Sequence, residues 1–129
     1  MFEDQRNQQF PAQTINPAAY TSTVTGSGVD LQGYQAASVH FHIGAWTDGK
    51  WVCTLQECDD NSTFTEVADG NLIGTMPTIS GRSNVSLTPV GYKGTKRYIR
   101  VLGTASGGST GAIFGATIIK GIKRHNTGN

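Results

Sequence analysis

The sequence predicts an all-β domain, a sandwich or jelly roll of about eight antiparallel strands with flexible polar termini. Three observations carry that expectation. First, 17 of the 129 residues are glycine and 16 are threonine, and neither favours a helix. Second, short runs of alternating apolar and polar residues are separated by turn residues at intervals typical of all-β domains. Third, charged side chains make up only 15% of the chain, too few for a coiled coil or a disordered polyampholyte. The length fits one domain, large enough to bury a core without disulfide staples.

Taken in order, residues 1–12 are polar, rich in Gln and Asn, and read as a mobile N-terminal arm. A single sandwich domain is expected over 13–122, followed by a basic tail at 123–129. Gln13 to Tyr20 reads as extended. Thr21 to Thr25 is a β-branched run closed by Gly26-Ser27-Gly28, and Val29 to Leu31 ends at Gly33. Ser38 to Trp46 is the clearest strand, with Val39, Phe41, Ile43 and Ala45 on one face and His40, His42, Gly44 and Trp46 on the other.

Thr47-Asp48-Gly49 then reads as a turn, with Trp51 to Glu57 returning as a hairpin partner. A two-residue loop would pair Phe41 with Gln56 and mix the faces. A three-residue loop with Gly49 left-handed pairs Phe41 with Leu55 and Ile43 with Cys53, segregating apolar from polar, so it is preferred. Cys53 then belongs to the core.

Asp59 to Ser62 is a turn, Thr63 to Val67 a strand, and Ala68 to Asn71 another turn. Leu72 to Thr75, Ile79 and Val85 to Thr88 supply short extended pieces. Pro89 to Thr95 is a Gly-containing connection, and Lys96 to Leu102 a strong strand. Thr104 to Gly111 reads as a hairpin tip. Ala112 to Ile119 is apolar on both faces, which suggests a central strand or one face against a partner.

No secretory leader is legible at the N-terminus, and no apolar run approaches the ~20 residues that span a bilayer. Cys53 and Cys58 differ in strand parity and cannot bridge within one strand, so reduced thiols and synthesis in a cytoplasm are expected. The motifs Asn61-Ser62-Thr63 and Asn84-Val85-Ser86 then read as chance glycosylation matches.

Net charge is +1, yet unevenly placed. Residues 1–69 hold all nine acids and two bases, net −7, whereas residues 70–129 hold eight bases and no acid, net +8. Nucleic-acid binding by the second half is one reading. The preferred one is a compact domain that interleaves both halves, because no recognition helix or aromatic RNA-binding motif accompanies the bases. A third is that opposite patches meet between copies.

The search for chemistry finds no catalytic centre, cofactor site or metal site. His40 and His42 share a face but lack a third ligand, with Thr54 and Gln56 at the register positions opposite. The acids of Glu57 to Asn61 miss the spacing of a calcium loop. Cys58 has no evident base, and Gly103 to Gly111 lacks the Gly-Lys-Ser/Thr ending of a phosphate loop. Trp46 and Trp51 flank a turn, where they could stack on a sugar or brace the hairpin.

Three segments, Leu55 to Val67, Val90 to Val101 and Gly111 to Ala116, carry a resemblance to small structural proteins encoded near the capsid genes of tailed bacteriophages. It spans roughly residues 13–122. The resemblance implies a virion component on the capsid surface, made in the bacterial host cytoplasm. Such a β-sandwich decorates or cements the shell, as a dimer or trimer bound to the major capsid protein. No membrane or nucleic-acid partner is expected. Candidate contact residues are Phe2, Phe10, Trp46, Trp51, Arg97, Arg100, Lys120, Lys123 and Arg124. A carbohydrate-binding adsorption module using the two tryptophans and a tail or head–tail connector subunit are the alternatives.

Overall fold

The computed structural model describes residues 9–80, 89–107 and 109–123. The expected strand at Val85 to Thr88 and the candidate residues Phe2 and Arg124 lie outside that range. In chain order the strands are β1 (Gln9–Tyr20), β2 (Val24–Thr25), β3 (Val29–Asp30), β4 (Tyr34–Trp46), β5 (Lys50–Cys58) and β6 (Thr65–Glu66). After a 3-10 turn at Asp69–Asn71 come β7 (Leu72–Ile73), β8 (Thr78–Ile79), β9 (Val90–Tyr92), β10 (Tyr98–Ser106) and β11 (Ala112–Lys123). The fold is all-β, as expected. The strand count exceeds eight because five two-residue pieces line the sheets.

Two antiparallel sheets form the walls. One has the order β1-β11-β4-β9-β7, the other β2-β10-β5-β6, with β3 also on β10 and β8 also on β5. The inward faces of both sheets make the core, where Trp51, Val39, Ile79, Ile99, Val101 and Ile118 are fully buried. The Trp51 ring meets Phe114 edge-on, with centroids 5.3 Å apart, and its Nε1–H donates to the Ser22 carbonyl at 3.0 Å. Thr14 is the one polar side chain buried among the described residues. Its Oγ1 donates to the Ser27 carbonyl at 2.9 Å and accepts from Val101 N–H at 3.2 Å, stitching β1 to the opposite sheet.

The expected β4–β5 hairpin does not form. β4 pairs with β11, β5 pairs with β10, and the chain crosses from one wall to the other between them. Phe41 and Leu55 are both buried, but in opposite sheets. Alternation fixes which face of a strand is apolar, and a sandwich meets that demand as well as a hairpin does. Gly49 does adopt the left-handed conformation, φ 93, here to turn the corner. The segment after β10 is likewise a crossing between walls and not a hairpin tip.

A bulge reverses the end of β4. Phe114 faces Ile43 while Ala112 faces Trp46, so β4 carries one extra residue. Ala45 is therefore exposed, and Trp46 packs against the core with its Nε1–H on the Gly49 carbonyl at 3.0 Å. Both placements are opposite to strict alternation. β1 starts at Gln9 and runs Phe10, Pro11 and Ala12 against Lys120, Ile119 and Ile118. Residues 9–12 thus belong to the sheet and not to an arm. β11 continues to Lys123, one residue beyond the expected domain edge. Further along, β1 arches over Gly115, where an added Cβ would lie 2.9 Å from Pro17 N.

The two crossings are tied to each other. Thr47 N–H donates to the Gly111 carbonyl at 2.9 Å. The Asp48 carboxylate accepts the N–H groups of Ser109 (3.2 Å), Thr110 (3.0 Å) and Gly111 (2.6 Å). These donors, that of Gly111 above all, hold the Asp48 carboxyl below its ordinary 3.8.

Two predictions follow from packing and clamp. Trp51→Ala should lower unfolding free energy by about 3–5 kcal/mol in urea titration, as expected for a buried aromatic. Asp48→Asn should lower the melting temperature at neutral pH and raise amide exchange at Ser109 to Gly111. A depressed native carboxyl stabilises the fold above its unfolded value, and that contribution is lost as pH falls through the native one. The difference between the wild type and Asp48→Asn should therefore shrink below pH 3.8.

Candidate interaction surface

At the end of the sandwich away from the β4–β5 and β10–β11 crossings, Phe10, Tyr34, Arg97 and Lys120 come together. Phe10 and Tyr34 stack at a tilt with centroids 5.2 Å apart, and Lys120 Nζ lies 4.8 Å from the Tyr34 ring centre. Arg97 grips Asp30 with both arms, Nε to Oδ1 at 3.0 Å and Nη2 to Oδ2 at 2.9 Å. Lys120 contributes to the same field, and Asp30 is held below its ordinary value, chiefly by the Arg97 hydrogen bond. Lys123 stands opposite Tyr34 in the ladder at this end.

Beside this cluster opens a cleft of about 240 Å³, lined among others by Leu31, Tyr34, Tyr92, Lys96 and Arg97. The Tyr92 hydroxyl donates to Glu57 Oε1 at 2.6 Å and accepts from Lys96 N–H at 3.2 Å. Lys96 Nζ pairs with Asp59 at 3.2 Å. The cations of the cleft already have carboxylate partners, so its wall is a set of matched charges. Both ion pairs join an acid of the first half to a base of the second. That is the interleaving the charge split suggested. At these exposures the pairs set orientation more than stability.

The remaining candidates scatter. Arg100 lies on the other sheet, stacked 3.9 Å over the Phe64 ring with Nε on Gln56 at 2.8 Å. Trp51 is wholly inside the core and offers no surface. It shares strand parity with Cys53 and Leu55, so its burial was implicit in the register argument. Trp46 is turned inward by the bulge at the opposite end. Tyr34, Asp30 and Asp59 complete the cluster but carry no sequence signal of their own, because only pairing of β4 with β11 and of β3 with β10 brings them there.

Chemically the surface supports contact. Both cysteines are free and buried, and desolvation pushes the Cys53 thiol up to about 12, far from a reactive thiolate. Cys53 also lines a second cleft of about 340 Å³ with Leu55, Val67, Leu72 and Met76. Among the described residues no three His, Cys, Asp or Glu side chains gather as a metal site would require. His40 and His42 lie on the outer face of β4, with Ser38 Oγ 3.0 Å from His40 Nε2.

No known family model and no curated protein matches the chain. Among solved structures, the crystal structure of SPBc2 prophage-derived protein YomS is similar, with a TM-score of 0.50 and 16% identity. The likeness covers 87% of this chain and 92% of that one. At that identity it shows a shared fold.

Desolvation, then repulsion from His42, lowers the His40 pKa below 6.5. The unfolded chain thus binds more protons in the window just below 6.5, and His40 disfavours the native state as pH falls through it. Imidazole NMR titration should place His40 below 6.5, and His42→Asn should move it upward by removing the repulsion.

Proposed function

We propose that the chain is a structural component of a tailed-phage particle that binds and stabilises the capsid shell as a decoration protein. The observation that carries this reading is the fold shared with a prophage-derived protein across most of both chains. The sequence resemblance to capsid-associated proteins points the same way. The aromatic and basic end supports it further. β1 begins and β11 ends side by side there, with Gln9 opposite Gly121. In this reading that end meets the major capsid protein. Many copies, each held weakly, become firm by avidity.

The carbohydrate-binding alternative loses its platform, because Trp51 is buried and Trp46 turns to the core. The reading is of a binding protein and not an enzyme.

Quantitative mass spectrometry of purified particles tests this directly. A decoration protein should be present in copy number comparable to the major capsid protein. Absence from particles would overturn the reading, and a handful of copies in a ring would favour a connector subunit instead.

A further inference from the structure

The outer face of the β1-β11-β4-β9-β7 sheet is unlike the rest of the surface. One row crosses all five strands through Pro11, Ile119, Ser38, Gly91 and Ile73. A second runs Gln13, Thr117, His40, and a third pairs Gly115 with His42. None of these residues is an Asp, Glu, Lys or Arg. Two of the three exposed large hydrophobics among the described residues, Ile73 at 58% and Ile113 at 44%, lie on this face. The ionic groups described above sit on the other sheet and at the ends.

We infer that this face is the contact surface for a second copy of the chain, packed sheet against sheet about a two-fold axis. Four observations select that occupant. An isologous interface needs a self-complementary patch, and here Ile73 and Ile113, seated over Gly91 and Gly44 of the neighbouring strands, give the face an exposed apolar relief that can meet its own copy. The three rows named carry no Asp, Glu, Lys or Arg that would select a different protein, and Lys123, of the same parity, stands at the end of the sheet. Edge-to-edge growth of the sheet is blocked, since the outer strand β1 contains Pro11 and Pro17 and the far edge is the two-residue β7. Area also suffices. Strands ~4.8 Å apart, rising ~3.3 Å per residue, outline roughly 600 Å² before side-chain relief is added. Two such faces bury roughly 1,200 Å², where specific stable interfaces begin.

The experiment is sedimentation equilibrium of the full chain over roughly 1–100 μM, a range that resolves micromolar self-association. The wild type should dimerise. Ile113→Arg should raise the dimer Kd at least ~100-fold, because the symmetry places two charges in one interface. Ile73→Arg, at the far edge of the same face, gives an independent reading should Ile113→Arg fail a circular dichroism check of folding. Val52→Arg, on the outer face of the other sheet and 41% exposed at present, should leave Kd within about twofold. A chain monomeric throughout, a dimer indifferent to both isoleucine changes, or one broken by Val52→Arg instead would overturn the inference. The particle role is independent of this result, since a monomer that still decorates particles leaves that reading standing.

Discussion

The architecture depends on the chain's repeated crossings between the walls, two of which are made at the same end of the molecule and tied together. Between β4 and β5, and again between β10 and β11, the chain leaves one wall and enters the other. Had either been a hairpin, its two strands would be neighbours in one sheet, and their apolar faces would no longer meet across the core. The Asp48 carboxylate holds the two corners in register by accepting three consecutive N–H groups from the second corner. A peptide segment with no ladder of its own is thereby given partners, as buried or constrained backbone requires. Thr14 then fastens the long first strand to the opposite wall.

Which faces are apolar was legible in the sequence; which strands are neighbours was not. Val39 and Phe41 on β4, Cys53 and Leu55 on β5, and Phe114, Ala116 and Ile118 on β11 all point inward as alternation predicts. The pairing of Phe41 with Leu55 failed because period-two patterning is satisfied equally by a strand alongside and by a strand across the core. Trp46 failed for a local reason, since one inserted residue inverts parity downstream and leaves no mark in composition. Phe10 was assigned to an arm because residues 1–12 are polar and rich in Gln and Asn, yet residues 9–12 pair as part of an edge strand, which tolerates Pro11. Of the candidate surface, Arg97, Lys120 and Phe10 were identifiable individually. Their meeting around Tyr34 and Asp30 is a product of topology.

The surface divides its labour by chemistry. One end concentrates paired charges and aromatic rings, where direction and orientation are set by ionic geometry. The broad face of the five-stranded sheet is neutral, with isoleucine and glycine in relief. A protein with so few charged side chains keeps them out of that face and spends them at the rim and on the other wall. Neutrality of the whole chain thus conceals a segregation that is spatial, and only partly follows the halves of the sequence.

The ladder between β1 and β11, with Gln9 against Gly121, has a kinetic corollary. β11 is an interior strand of the five-stranded sheet, flanked by β1 and β4, and it comes after both of its ladder partners in sequence. During synthesis β1 and β4 lack the strand that joins them until β5 to β10 have all been made. β10 likewise supplies the spine of the other wall late. Contacts this distant in sequence close slowly, because the loop entropy is lost before the pairing rewards it. The apolar faces of β4 and β5 therefore wait, uncovered, for partners not yet made, and that interval is when the chain is most exposed to aggregation.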